Sequence, residues 1–294
     1  MNGFLSLLLF ALLSGTSRQN APAGRATRAD PVGLEIQRAT ALAREGEYEE
    51  AERAFNEIFN QAAPRVFARH EVFAKLEVAR DTCLYEWRQN QAAAAGLRDV
   101  VLNCDMRLRD QSVFEEHLEL FLRHDPKHAK SNFFSGYFAF GRGDYQAAET
   151  RLKQSVETKP DASNHNCYAC ALQRLDRNEE SEKHARLALE LASQGTDRGL
   201  IAAIQDTLAV ALIGQGKFDE ARAACEESFN FADGRVFAPL KLTRLQILVG
   251  TQSFDEARAL RDELALRAGE LDAYEREVFI RLSDTITENA RQGF

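Results

Sequence analysis

Apolar residues recur along this chain at intervals of three and four, not two. In YQAAETRLKQSVET, residues 145–158, Ala148, Leu152 and Val156 form one stripe with charged and amide side chains between them. That spacing is the signature of a helix with one buried face. Val and Ile nowhere alternate with polar residues over the length of a strand, so the pattern predicts an all-helical chain.

The helical stretches are punctuated by a recurring hexamer. GEYEEA (46–51), GDYQAA (143–148), DRNEES (176–181), GKFDEA (216–221) and QSFDEA (252–257) align, and their last residues are separated by 97, 33, 40 and 36 positions. The long first gap leaves room for two drifted units, for which WRQNQAA (87–93) and LRDQSVF (108–114) are the candidates. In the best unit the spacing predicts helices over 129–142 and 145–158, with Pro160 closing the second. Gly143 supplies a left-handed residue that ends one helix without a Cβ clash, and Asp144 caps the next. Gly136, Ala139 and Ala148 present small surfaces where the two backbones cross.

On these residues the chain resembles the tetratricopeptide repeat family. Gly136, Gly143, Tyr145, Ala148, Leu152 and Pro160 follow its small, glycine, aromatic, alanine, large-apolar and proline pattern. Ala39, Gly46, Tyr48, Ala51 and Phe55 do so earlier, and Ala209, Gly216, Phe218, Ala221 and Cys225 later. The resemblance spans residues 32–268 and is weakest over about 64–125. It implies a right-handed superhelical solenoid of helical hairpins whose first helices line a concave groove for partner segments. Such units cannot bury their apolar faces alone, so the ends need caps. Residues 269–294 read as that cap, a last helix with Tyr274, Val278, Ile280 and Leu282 covering the final hairpin.

Five aromatic rings crowd residues 133–140. At about 100° per residue they cannot share one direction. Phe138, with Phe134 near the boundary, is assigned to the core against the helix of Leu118 and Phe121, and Phe133, Tyr137 and Phe140 to the groove. Carried through later units, the groove continues with Asn166, Gln173 and Arg174, then Asp206 and Val210, then Gln246. The family's best-understood groove clamps a carboxylate with paired lysines and asparagines. Here only Asn166 and Arg174 are of that kind, so an amphipathic or extended protein segment with apolar anchors is the expected ligand.

Composition narrows the rest. With 45% hydrophobic and 28% charged residues, the 294-residue chain can build a sizeable core. A net charge of −8 argues against nucleic acid as a partner, because phosphate binding needs clustered Lys and Arg. MNGFLSLLLFALLSGTS, residues 1–17, has the apolar and small-residue layout of a signal peptide and is too short to span a bilayer, so the mature chain is expected in the periplasm or outside the cell. No Lys or Arg precedes the run and three arginines follow it, which keeps organelle targeting as the alternative. Residues 18–31 read as a flexible linker.

The motifs of enzymes are absent from the sequence: it has no phosphate-binding glycine loop, nucleophile elbow, HExxH or EF-hand. No catalytic, cofactor-binding or metal-ligating residue is assigned, and no cofactor is expected. Cys167 and Cys170 form the sole CxxC of the sequence, and with His165 and His184 they make the alternative reading, a redox- or metal-sensing helical domain. On a helix, however, His165 and Cys167 lie about 200° apart and cannot face one metal together. The leading expectation is a non-catalytic scaffold that holds a protein segment in its groove. Self-association through that groove, by a second copy or by the chain's own last helix, is the third reading.

Overall fold

In the computed structural model, which describes residues 31–192, 197–232 and 237–292, every one of the five hexamers is an interhelical turn. The third residue of each, Tyr48, Tyr145, Asn178, Phe218 and Phe254, is the first residue of a helix. Gly46, Gly143 and Gly216 take φ of 84°, 82° and 74°, the left-handed geometry that glycine adopts without strain. Where the glycine is missing the backbone is the same: Asp176 and Gln252 stand at φ 57° and 59°. Backbone hydrogen bonds tie the turns down, as where the Asp144 N–H donates to the Ala139 carbonyl at 3.0 Å. The Asp144 side chain then accepts from the Ala147 N–H at 3.0 Å, capping the next helix.

The described residues contain fourteen α-helices: α1 (Pro31–Arg44), α2 (Tyr48–Gln61), α3 (His70–Gln89), α4 (Leu97–Leu108), α5 (Gln111–His124), α6 (Ala129–Gly141), α7 (Tyr145–Thr158), α8 (Ala162–Arg174), α9 (Asn178–Leu191), α10 (Arg198–Gly214), α11 (Phe218–Phe231), α12 (Ala238–Gly250), α13 (Phe254–Ala265) and α14 (Ala273–Gln292). Two short 3₁₀ turns, Pro64–Val66 and Ala268–Glu270, complete them, and no strand occurs among the described residues. The fold is an all-helical repeat. The expected signal peptide, 1–17, and most of the expected linker lie outside the described residues. The linker's last residue does not: Pro31 opens α1, a position where its missing N–H costs nothing.

Contacts divide the described chain into two compact units, 31–135 and 136–292, with the division inside α6. In the first, α1 packs on α2 and α3, and α3 on α4. Both drifted candidates are turns here. WRQNQAA ends α3 and enters the connection to α4, and LRDQSVF joins α4 to α5 through Arg109 at φ 60°. Its core holds Ile36, Phe55, Leu76, Trp87 and Leu102, all essentially inaccessible. Trp87 meets Phe121 edge-on at 4.9 Å between ring centroids, a geometry aromatic pairs favour. A polar cluster unforeseen in the sequence is also buried there, with His117 Nδ1 2.7 Å from Asp105 Oδ2.

In the second unit the hairpins layer in order. Each first helix meets the next one, α8 with α10 and α10 with α12, while the second helices α9 and α11 fill between. Closeness within a hairpin rests on small residues. A Cβ on Gly136 would stand 2.7 Å from Leu152 Cγ and 3.2 Å from the Ala148 carbonyl oxygen, so only glycine fits. Ala148, Ala221 and Ala257 are wholly buried at the matching position of their turns. Ser181 replaces that alanine in DRNEES, and its hydroxyl donates to the Ala169 carbonyl at 2.9 Å, satisfying its only polar atom.

The aromatic run resolves differently from the sequence reading. Phe133, Tyr137 and Phe140, expected on an open groove, are buried, while Phe138, expected in the core, is only partly so. Phe134 packs on the preceding helix as expected, 5.0 Å from Phe114. In α14, Val278 is buried, but Ile280 is 56% exposed and Ile286, one and a half turns on, takes the buried place beside Leu282.

Candidate functional site

Six of the nine expected groove residues line one cavity of about 60 Å³ in the second unit: Phe140, Gln173, Arg174, Asp206, Val210 and Gln246. Helical spacing brings them together, since each of α8, α10 and α12 turns the same stripe toward this face. The other three do not line it. Phe133 belongs to the first unit, and Tyr137 and Asn166 are buried elsewhere in the second. Asn166 has no solvent exposure, and neither its Oδ1 nor its Nδ2 finds a hydrogen-bond partner among the described residues.

The face is covered. The start of α14 lies across it and contributes Tyr274, Glu275 and Val278 to the same cavity wall. The floor expected to stand open is therefore closed by the chain's own last helix. Arg174 is the centre of the contact. Its Nη2 is 3.2 Å from Asp272 Oδ2 and 3.8 Å from Glu275 Oε1, and its guanidinium carbon lies 3.9 Å from the Tyr274 ring centroid and 5.5 Å from that of Phe140. A guanidinium between two aromatic faces and two carboxylates combines cation–π attraction with charge-assisted hydrogen bonding.

Asp272 and Glu275 also cap α14 reciprocally. The Glu275 N–H donates to Asp272 Oδ1, and the Asp272 N–H to Glu275 Oε2, both at 2.8 Å. This capping box, an acid at the N-cap and another three residues on, is legible in LDAYE. Its docking on Arg174 is not, because 98 positions separate the two. Thr207 and Thr243, also missed, organise the floor. Gln173 Nε2 donates to the Thr207 carbonyl, and the Thr207 hydroxyl donates to the Ala203 carbonyl at 2.9 Å.

The site is rich in acid for its one guanidinium. Burial raises the Asp206 carboxyl to about 6, against a Thr243 hydrogen bond that lowers it, and Asp206 Oδ1 has no hydrogen-bond partner among the described residues. Burial, followed by the neighbouring Asp272, raises Glu275 to about 7. Nothing here resembles a nucleophile with its base.

The alternative cysteine chemistry fares poorly. Cys167 and Cys170 are buried, unpaired thiols. Burial pushes Cys170 up to about 12 and Cys167 well above the ordinary range, so neither stands as the ready thiolate that disulfide exchange uses. His165 and His184 do meet, with Nδ1 atoms 2.9 Å apart, but they hydrogen-bond to one another. No group of three or more metal-ligating side chains is gathered among the described residues. Among the same residues no helix is long and apolar enough to cross a membrane.

Comparison with known proteins supports the repeat reading. Residues 160–233, which run from just before α8 to just beyond α11, match the family model of the tetratricopeptide repeat. No curated protein matches the chain. Among solved structures, PilF of Pseudomonas aeruginosa is 13% identical, with 85% of this chain and 96% of that one covered and a TM-score of 0.48. PilW, described as a type IV pilus biogenesis factor, is 14% identical, with 86% and 100% covered and a TM-score of 0.49. Yeast Tom70 is 13% identical, with 99% and 70% covered and a TM-score of 0.41. Residues 160–233 thus carry tetratricopeptide repeat sequence, and the left-handed turn found there at Asp176 and Gly216 recurs outside the matched segment at Gly46, Gly143 and Gln252.

Proposed function

We propose that the protein is a non-catalytic scaffold that captures a segment of a partner protein on the face shared by α8, α10 and α12. The observation that carries this reading is convergence. Gln173, Arg174, Asp206 and Gln246, from three successive first helices, line one cavity, a larger set of polar groups than the Arg174 contact with α14 and the Gln173 bond to the Thr207 carbonyl account for. Polar side chains set among Phe140, Val210 and Leu242 give the mixture that binding faces use, with apolar area for affinity and a few directed groups for specificity. Tetratricopeptide repeats mediate protein–protein contact, and nucleic acid is disfavoured by the charge of −8.

The apolar layout of residues 1–17 supports export, to the periplasm or beyond the cell, and fractionation of the expressed chain with N-terminal sequencing of the mature form tests it. The binding reading is tested by affinity capture with the chain and with its Gln173→Ala, Gln246→Ala double variant. Partners retained by the first and lost by the second support the face. Identical retention by both, with the variant folded, removes it.

A further inference from the structure

The covered face raises the question of what chemistry it selects. Resting on the proposed binding role of this face, we propose that it recognises the first turn of a partner helix that begins Asp-x-aromatic, and that α14 is a resident occupant which such a helix displaces.

The resident shows the recognition chemistry. Asp272, the N-cap, meets Arg174 Nη2 at 3.2 Å, and two positions later Tyr274 lies 3.9 Å beneath the guanidinium carbon. One arginine thus reads both an acid and an aromatic ring, and because the acid is an N-cap, it reads them only in a segment that starts a helix. The next turn supplies Val278 to the same wall.

The resident is also a poor fit, which makes it exchangeable. Around Arg174 the docked state gathers three carboxylates, Asp206 from α10, Asp272 from the N-cap of α14 and Glu275 from its first turn, with Tyr145 also interacting with Glu275. One cation does not balance three acids, and a buried charge without full compensation is costly. The contact borders a cavity of about 60 Å³ and is not a fully packed wall. The apolar grip is thin as well: in the twenty residues of α14 only Glu275, Val278 and Ile286 are buried. A partner helix that keeps Asp at the N-cap and the aromatic two residues on, but is neutral at the position of Glu275, retains both Arg174 contacts and sheds the surplus acid.

The test uses the full chain and three labelled peptides covering residues 270–288: the native sequence, one carrying Glu275→Gln and one carrying Asp272→Asn. The Glu275→Gln peptide is expected to bind at least tenfold more tightly than the native one and to speed amide exchange across α14. The Asp272→Asn peptide, and the Glu275→Gln peptide offered to an Arg174→Gln chain, are expected to lose at least tenfold. Equal binding of the Gln and Asn peptides, binding indifferent to Arg174, or no binding by any peptide overturns the proposal. If Arg174→Gln does not fold, the comparison of the three peptides on the native chain decides alone. Concentration-dependent dimers that trade α14 between copies would assign the face to a second copy and overturn the partner assignment. Should the peptides fail while the Gln173/Gln246 variant still loses a captured partner, the partner chemistry is wrong and the binding face stands.

Discussion

Arg174 lies over the ring of Tyr274, its guanidinium carbon 3.9 Å from the ring centroid, and the same guanidinium holds Asp272 at 3.2 Å. All three side chains are largely shielded from water, so the contact behaves as a buried pair. Removing one member of a buried pair leaves the other charged and uncompensated, and typically costs about 3–5 kcal/mol. Arg174→Gln is expected to lower the unfolding free energy of the second unit by about 3 kcal/mol, measured by urea denaturation. Amide exchange should place the loss first in α14. A change below about 0.5 kcal/mol, the size of a surface pair, would show that α14 is not held through this arginine.

Acid pressure at the same place predicts a dependence on pH. Glu275 is raised from the ordinary glutamate value to about 7 by burial and by Asp272, with Arg174 opposing. A carboxyl raised on folding is taken up most favourably when protonated. Its contribution is fully present below the unfolded value near 4.5 and is lost as pH climbs through 7. Other groups titrate in the opposite sense, notably His184, which burial lowers to about 4. The difference between the native chain and Glu275→Gln isolates the carboxyl. The Gln variant is expected to gain on the native chain by up to about 3 kcal/mol between pH 4.5 and pH 8, with most of the gain accumulating between the unfolded value near 4.5 and the folded value of about 7. A flat difference would mean that Glu275 is solvated and that the capping box does not seat where the structure puts it.

Much of the repeat was legible because its causes are local. Gly143, Asp144, Tyr145 and Ala148 act within six residues, and so the turn, the cap, the helix start and the crossing could be read together. The cavity lining was legible for a related reason: a stripe on one helix predicts its own continuation on the next first helix, as from Gln173 to Asp206 to Gln246. What covers that stripe was not legible. The Asp272–Glu275 capping box announces a helix start, but nothing within LDAYE says that it docks against α8. The buried Asp105–His117 pair escaped notice in the same way, since each residue taken alone reads as a solvated charge on a helix face.

The aromatic run shows how a small rotation misleads. One residue of helix turns about 100°, so an error of one position in the packing axis exchanges core and surface. Phe133 and Tyr137 are buried and Phe138 is partly exposed. Phe133→Ala and Tyr137→Ala are therefore expected to cost about 3–5 kcal/mol each, as truncations of buried rings. Phe138→Ala should cost distinctly less. Thermal melts of the three single variants check this order, and a Phe138 variant that melts lowest would restore the orientation read from the sequence.

The repeat turns offer a last prediction, in which chemistry changes while geometry stays constant. Gly46, Gly143 and Gly216 occupy left-handed φ at no steric cost, whereas Gln252 is held at φ 59° in the equivalent turn. A non-glycine residue there brings Cβ against the following carbonyl, at about 1–2 kcal/mol. The backbone is nevertheless fixed by the repeat, since the Ser253 N–H donates to the Leu248 carbonyl at 2.8 Å and so closes the end of α12. Gln252→Gly should relieve the strain, less the entropy a glycine adds to the unfolded chain, for a net gain of about 0.5–1 kcal/mol. Gly143→Ala should lose about 1 kcal/mol by the reverse argument. The pair is read by urea denaturation at constant slope, so that a shift in midpoint reports stability alone. If both variants move the same way, the left-handed residue is not what limits these turns, and the alanine and serine crossings at Ala257 and Ser181 become the place to look.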